Sequence, residues 1–266
     1  MSQRREVEET LELYDDLTGI LKAMRSFALA ELHRVIKRES AQRQVVTTLT
    51  KSMQDITTYL TPQVQPESDI WLLFGSVRGF CGSFNEDVLR NWREENVTNQ
   101  ATIVIGEKLF STLRDRKEIA FVQGADTSLD AGEVIERVLI EIQAVQKKIG
   151  KKTGVVACFR DEDGPRIQRL IPISLPKVEI KDVPMVHTPS ADVAKGVAEH
   201  YLFHLILSIQ LLSTRVENHM RLMQMENALQ HLEQGEDELN RKRNRMRQEE
   251  IVEEIELMSR KHVGVL

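Results

Sequence analysis

Apolar residues recur every three or four positions at both ends of this chain and gather into short unbroken runs between them. From Tyr14 a first seam passes through Leu17, Leu21, Met24, Ala28 and Val35, then resumes at Val46, Leu49, Met53, Ile56 and Leu60. That stepping is the stripe of a helix lying against another helix. The intervening Lys37, Arg38, Glu39, Ser40, Gln42 and Arg43 show no seam, which predicts weaker packing there. At the other end, Leu205, Ile209, Leu212 and Val216 step in the same way. Leu202, Phe203, Ile206 and Leu207 make that stretch apolar nearly all round, the mark of a helix buried on several sides. Met225, Leu229, Leu232, Leu239 and Met246 carry the seam onward. Glu236, Arg243 and Glu250 fall at the intervening core-type positions, and Gly235 is a mild weak point. A seam with so many charges is not that of a free-standing zipper, so the pair expects something around it.

Proline sharpens the division. All seven prolines lie between Pro62 and Pro189. Proline removes a helical hydrogen bond and clashes with the preceding turn, so its absence permits two long helices, 1–61 and 190–266. At 1.5 Å per residue the second would span roughly 115 Å and would have to protrude as a rod. The middle, 66–185, alternates strand and helix. Asp69–Val77, Ala101–Gly106, Glu118–Gln123, Gly154–Arg160 and Arg166–Leu175 read as strands. Ser83–Val97, Glu107–Lys117 and Asp130–Ile149 read as helices, the last with Val134, Val138, Ile142 and Val145 on one side. Such alternation predicts a mostly parallel sheet, a Rossmann-like α/β domain finished by a hairpin. The predicted architecture is therefore α/β with long terminal helices, which pair as an antiparallel coiled coil.

Composition narrows the class. Charged residues make up 29% of the 266 and aromatics 5%, which suits long solvent-flanked helices. The net charge of −5 gives no global pull toward nucleic acid or anionic lipid. The only cysteines, Cys81 and Cys158, make neither a disulfide framework nor a metal cluster. The N-terminal residues carry no apolar signal core, and the longest apolar run, Tyr201–Leu212, is too short to span a bilayer. The expectation is a chain that is soluble or held at a membrane by partners alone. In the last helix, acidic Glu233–Glu238 and Glu249–Glu256 flank a basic collar of Arg241, Lys242, Arg243, Arg245 and Arg247. The flanking acids argue against DNA as its partner.

Catalytic chemistry is thin. Gly75, Gly79 and Gly82 follow the first strand where phosphate loops sit, but their spacing is neither the dinucleotide nor the P-loop pattern. A tight turn that needs glycine for conformation and close packing accounts for them better. Glu107, after the second strand, is a lone candidate for a ribose-binding acid. His200 and His204 share a helix face, yet no acid completes a zinc motif, so packing is the simpler role. Cys81 fits a buried packing residue better than a reactive thiol. No metal or cofactor is expected.

Three blocks resemble the gamma subunit of F-type ATP synthases. Residues 20–32, ILKAMRSFALAEL, match its N-terminal block at Lys22, Ala23, Met24 and Leu32. Residues 76–85, SVRGFCGSFN, match at Arg78, Gly79, Cys81, Gly82 and Asn85. Residues 244–255, NRMRQEEIVEEI, match at Asn244, Arg247, Gln248, Ile251 and Glu254. Leu21, Val77, Ser83 and Val252 depart from the family pattern, which suggests a divergent or alternative-operon form.

The resemblance implies a central-stalk rotor without a catalytic site of its own. It would couple ion-driven rotation of the c-ring to the beta-subunit catalytic sites, in synthesis or in ATP-driven pumping. Its partners would be the alpha, beta and epsilon subunits and the c-ring, at the cytoplasmic face of a bacterial membrane. Met24, Arg247, Gln248, Ile251 and Glu254 would contact beta subunits. The basic collar would meet their acidic loops, and Arg78, Gly79, Cys81 and Gly82 would form a structural glycine loop. A coiled-coil adaptor outside any ATPase and a nucleotide-dependent enzyme are the competing readings.

Overall fold

The computed structural model describes residues 2–56, 65–95, 101–114, 119–150, 152–175 and 185–263. Leu60 and Val97, the ends of two predicted elements, lie outside them. The elements run α1 (Ser2–Asp55), β1 (Ser68–Phe74), α2 (Phe84–Glu95), β2 (Ala101–Ile105), α3 (Glu107–Ser111), β3 (Ile119–Val122), α4 (Ala131–Ile149), β4 (Thr153–Asp161), β5 (Gly164–Ile171) and α5 (Ser190–Val263). The chain divides into two compact units. A helical unit combines residues 1–27 and 222–266, and an α/β unit holds 28–221.

In the α/β unit the strand order is β3-β2-β1-β4-β5. β3, β2, β1 and β4 are parallel, and β5 returns antiparallel to β4. The apolar runs of β1, β2 and β4 are buried on both faces, as helices covering a parallel sheet require, while the edge strands β3 and β5 are only partly covered. On one face Ile70, Leu72, Phe74, Ile103 and Ile105 pack with Val134, Val138 and Ile142 of α4 and with Ile206, Ile209 and Leu211 of α5. On the other, Trp71, Leu73 and Val104 pack with Val88, Leu89 and Trp92 of α2 and Leu109 of α3. α4 ends at Gly150, whose left-handed φ of 67° lets its N–H reach the Gln146 carbonyl.

The sheet is also tied laterally. Arg169 of β5 donates from both terminal nitrogens to Asp69 of β1, at 2.7 and 2.8 Å. The pair crosses the intervening strand over Gly154, where a Cβ would lie 2.2 Å from the Asp69 carboxylate. β4 therefore needs glycine at this position.

α3 stops at Ser111, short of the predicted Lys117. Ser111 and Thr112 each turn a hydroxyl onto the carbonyl three residues back, at 2.7 Å, and such bonds compete with helix propagation.

The expectation of weak packing over Lys37–Arg43 is corrected. Glu39 and Gln42 are buried. Glu39 pairs with Arg215 of α5, and the Gln42 amide donates to the ring Nδ1 and the carbonyl oxygen of His204, both at 2.9 Å. Ala28, Leu32, Val35, Glu39, Gln42, Val46, Leu49, Met53 and Ile56 step by four and three without a break. The seam is continuous, with polar residues at two of its positions.

Candidate functional site

The glycine loop follows β1 at the carboxyl edge of the sheet, where open α/β sheets bind ligands. Here the chain's own groups fill it. A Cβ on Gly75 would lie 2.1 Å from the Leu109 Cβ, so Gly75 serves the packing of α3 onto β1. Phe80 and Gly82 both take φ 59°, which turns the loop back on itself. Inside the turn, Asn85 accepts the Ser76 N–H at 3.0 Å and donates to its hydroxyl at 2.7 Å. Cys81 is buried with Phe84 against Val216, Leu212 and Met220 of α5.

α5 closes the edge with polar groups. Arg221 donates from Nε to the Gly79 carbonyl at 3.2 Å and from Nη1 to Asn218 at 2.9 Å, and Nη2 pairs with Glu217. Burial pushes the Glu217 carboxyl up, against the pull of Arg221. Gly75 thus serves packing and Gly82 conformation, while Arg78 reaches outward to Asp126 at 3.1 Å.

The remaining candidates separate cleanly. Both cysteines are free and buried. Burial raises the Cys81 thiol and pushes Cys158 up to about 12, so neither has the thiolate character a nucleophile needs. His204 is engaged by Gln42, while His200 is exposed. Among the described residues no group of three or more His, Cys, Asp or Glu gathers as a metal site. No described helix is long and apolar enough to cross a membrane.

The helical unit presents a different surface. Arg4 pairs with Glu250 at 2.9 Å and Arg25 with Glu226 at 3.4 Å, so the two helices run antiparallel. Between these rungs Tyr14 packs on Gly235, where a Cβ would lie 2.7 Å from its ring. Gly235, expected as a weak point, takes the inward position, and Glu236, expected there, is exposed. A glycine at a crossing lets a bulky partner ring approach the helix backbone. Val7 and Met225 are the buried apolar residues of this unit. Leu17, placed in the seam by its spacing, is exposed, as are Leu13 and Ile20.

Beyond the Arg4–Glu250 rung α5 runs on with Ile251, Val252, Ile255, Leu257 and Met258 all exposed. In the collar Arg245 pairs with Glu249 at 3.7 Å. Among the described residues no carboxylate lies within ion-pair distance of Arg241, Lys242, Arg243 or Arg247. Arg241, Lys242 and Arg245 line a groove beside Tyr14 and Leu239.

A family model described as ATP synthase matches residues 3–258. The chain belongs to the ATP synthase family. The ATP synthase gamma chain of Mycoplasma mycoides is 24% identical over 256 residues, covering 90% of this chain and 91% of its own length. That of Desulforudis audaxviator is 23% identical over 294 residues, covering 96% of each. A chain of the Euglena gracilis mitochondrial ATP synthase, seen with OSCP, F1 and the c-ring in rotational state 3, superimposes with a TM-score of 0.69 at 18% identity. That match covers 99% of this chain and 96% of the other. A chain of the Tetrahymena thermophila central stalk and c-ring gives a TM-score of 0.57 at 18% identity, covering 79% and 99%.

The resemblance read from the three sequence blocks therefore stands, as does the fold of long terminal helices around a mostly parallel sheet. The ATP synthase blocks lie on different surfaces. Arg247, Gln248, Ile251 and Glu254 are exposed along one run of α5. Met24 is half-buried, near the Arg25–Glu226 rung. By the antiparallel pairing, Met24 lies roughly 25 Å along the unit from the level of Arg247. Arg215 and Arg221, which join α5 to the rest of the α/β unit, were not singled out in the sequence.

Proposed function

We propose that this chain is the gamma subunit, the non-catalytic central rotor of a rotary ATP synthase. It couples rotation of a membrane c-ring to conformational change at the beta-subunit catalytic sites. The carrying observation is the helical unit, in which, among the described residues, few apolar side chains are buried, an apolar tail is exposed and four collar cations have no ion-pair partner. Such a surface is incomplete alone and suits a helical pair enclosed by other subunits.

The mechanism follows from symmetry. One asymmetric rod inside a three-fold ring of alternating alpha and beta subunits cannot touch three identical beta subunits identically. Each beta site is biased toward a different conformation, and rotation exchanges the biases. A partner shifts an equilibrium only through differential contact with its states, and the rod supplies that difference. In this reading the helical unit is the rod and the α/β unit the head, set against epsilon and the c-ring. Membrane association is peripheral, through partners, at the cytoplasmic face. Arg241, Lys242, Arg243 and Arg245 meet acidic beta loops, and Arg247, Gln248, Ile251, Glu254 and Met24 make coupling contacts. Because exposed ion pairs are worth about 0–1 kcal/mol each, no single arginine is indispensable.

Isolation of the tagged chain from native, detergent-solubilised membranes, with mass spectrometry and an ATPase assay, tests this. Alpha, beta and c subunits in one active complex are expected. Recovery of the chain without them from an intact ATPase preparation would favour an adaptor. Within the complex, Arg247→Ala with Gln248→Ala is expected to lower coupled ATPase more than Arg241→Ala does. Equal activity of the two variants would remove the coupling role from Arg247 and Gln248.

A further inference from the structure

A helix that carries torque must be prevented from turning about its own axis where it is seated. Apolar contacts do this poorly, because hydrophobic attraction is non-directional and a packed stripe can slide. Hydrogen bonds weaken steeply when bent, so they resist rotation. Within the α/β unit, α5 is held by apolar residues at Ile206, Ile209, Leu211 and Val216. In and just beyond that stretch stand two arginines that each reach another element, Arg215 at Glu39 and Glu162 and Arg221 at the Gly79 carbonyl.

The guanidinium of Arg215 pairs with Glu39 of α1 and with Glu162 in the β4–β5 turn. Glu39 is buried and is held in turn by Arg43 at 2.6 Å. Arg221 donates to the Gly79 carbonyl while Glu217 and Asn218 take its other nitrogens. The Gly79 carbonyl is a fixed target, because the loop is turned by Phe80 and Gly82 and braced by Asn85 on Ser76. At 3.6 residues per turn, positions six apart point about 120° away from each other around the helix. The two contacts therefore hold the helix from two directions.

We propose that Arg215 and Arg221 are two locks that fix the rotational setting of α5 on the α/β unit under load, making them positioning residues for coupling. The proposal rests on the rotor function above. Lysine at either position keeps the charge but loses the planar fork that reaches two partners at once.

The test uses the assembled complex, with its catalytic ring fixed to a surface and a probe on the α/β unit reporting angular fluctuation. For the double variant Arg215→Lys with Arg221→Lys, the variance of that angle is expected to rise by about twofold or more. Ion pumping per ATP hydrolysed should fall while ATP hydrolysis continues. A purely stabilising role would lower the melting temperature and the yield of complex but leave the assembled molecules with wild-type variance and pumping ratio. That outcome would overturn the locks. Should the double variant fail to assemble, Arg221→Lys alone is measured, and wild-type variance there overturns them equally. Loss of alpha and beta subunits from the wild-type preparation would instead overturn the rotor reading, a result separate from an unchanged variance.

Discussion

The two units are built from the same pair of long helices and close their interiors in opposite ways. In the α/β unit the seam of α1 is buried or half-buried along its length. Where it turns polar, at Glu39 and Gln42, each polar group has a partner on α5. In the helical unit the seam continues by spacing, but among the described residues only Val7 and Met225 are deeply covered, while Ile255 stays 61% exposed. Buried apolar area is the main favourable term in folding, so the first unit is finished by its own chain and the second is not. A helix pair that keeps the seam pattern without the burial fits a component whose remaining contacts belong to other subunits.

The largest test of that contrast is in the core. Phe74 of β1, fully buried on the sheet face covered by α4 and α5, should cost about 3–5 kcal/mol of unfolding free energy when replaced by alanine. Ile255→Ala should change the free chain by no more than about 0.5 kcal/mol, yet reduce the yield of assembled complex. Denaturant titration of the free chain, beside recovery of the complex, checks both. A large loss of free-chain stability from Ile255→Ala would erase the contrast.

Glycine offers a second, smaller comparison. Gly75→Ala drives a Cβ into the body of Leu109 and should destabilise by about 1–3 kcal/mol. Gly235→Ala meets only the outer edge of the Tyr14 ring, which can swing aside, and gains helix propensity of about 1 kcal/mol. The net effect should be near neutral, and thermal melts of the two variants measure the difference.

Much of this organisation was legible in the sequence. The buried strands announced themselves as short apolar runs, and proline marked where long helices could form. The glycine spacing spoke for turn and packing, and Gly82 and Gly75 serve those two ends. What was hidden had a physical cause in each case. Glu39 and Gln42 kept the four-and-three stepping, but their polarity masked it until Arg215 and His204 supplied partners from more than 160 residues away in sequence. Tyr14 and Gly235 meet because a small residue suits a large ring, a pairing that hydrophobic period alone cannot reveal. α3 ended early because two hydroxyls captured local carbonyls.

The smallest expected effect is a pH dependence confined to the α/β unit. Burial, then the neighbouring His200, holds the His204 imidazole below its ordinary value of 6.5. The unfolded chain therefore takes up the proton first as pH falls. The contribution of neutral His204 is complete above about pH 6.5 and is lost progressively below it. Denaturant midpoints at about pH 7.5 and pH 5.5 should differ more for the wild type than for His204→Gln. Equal differences would place the pH dependence elsewhere.

Amide hydrogen exchange, compared between the free chain and the chain in its native complex, tests the central claim most directly. Local opening is easiest where few apolar contacts are buried. In the free chain, residues 2–27 and 222–258 should exchange far faster than β1, β2 and β4, and in the complex they should slow sharply while the sheet barely changes. Equal exchange of the helical unit in both states would contradict the claim that partner subunits complete it.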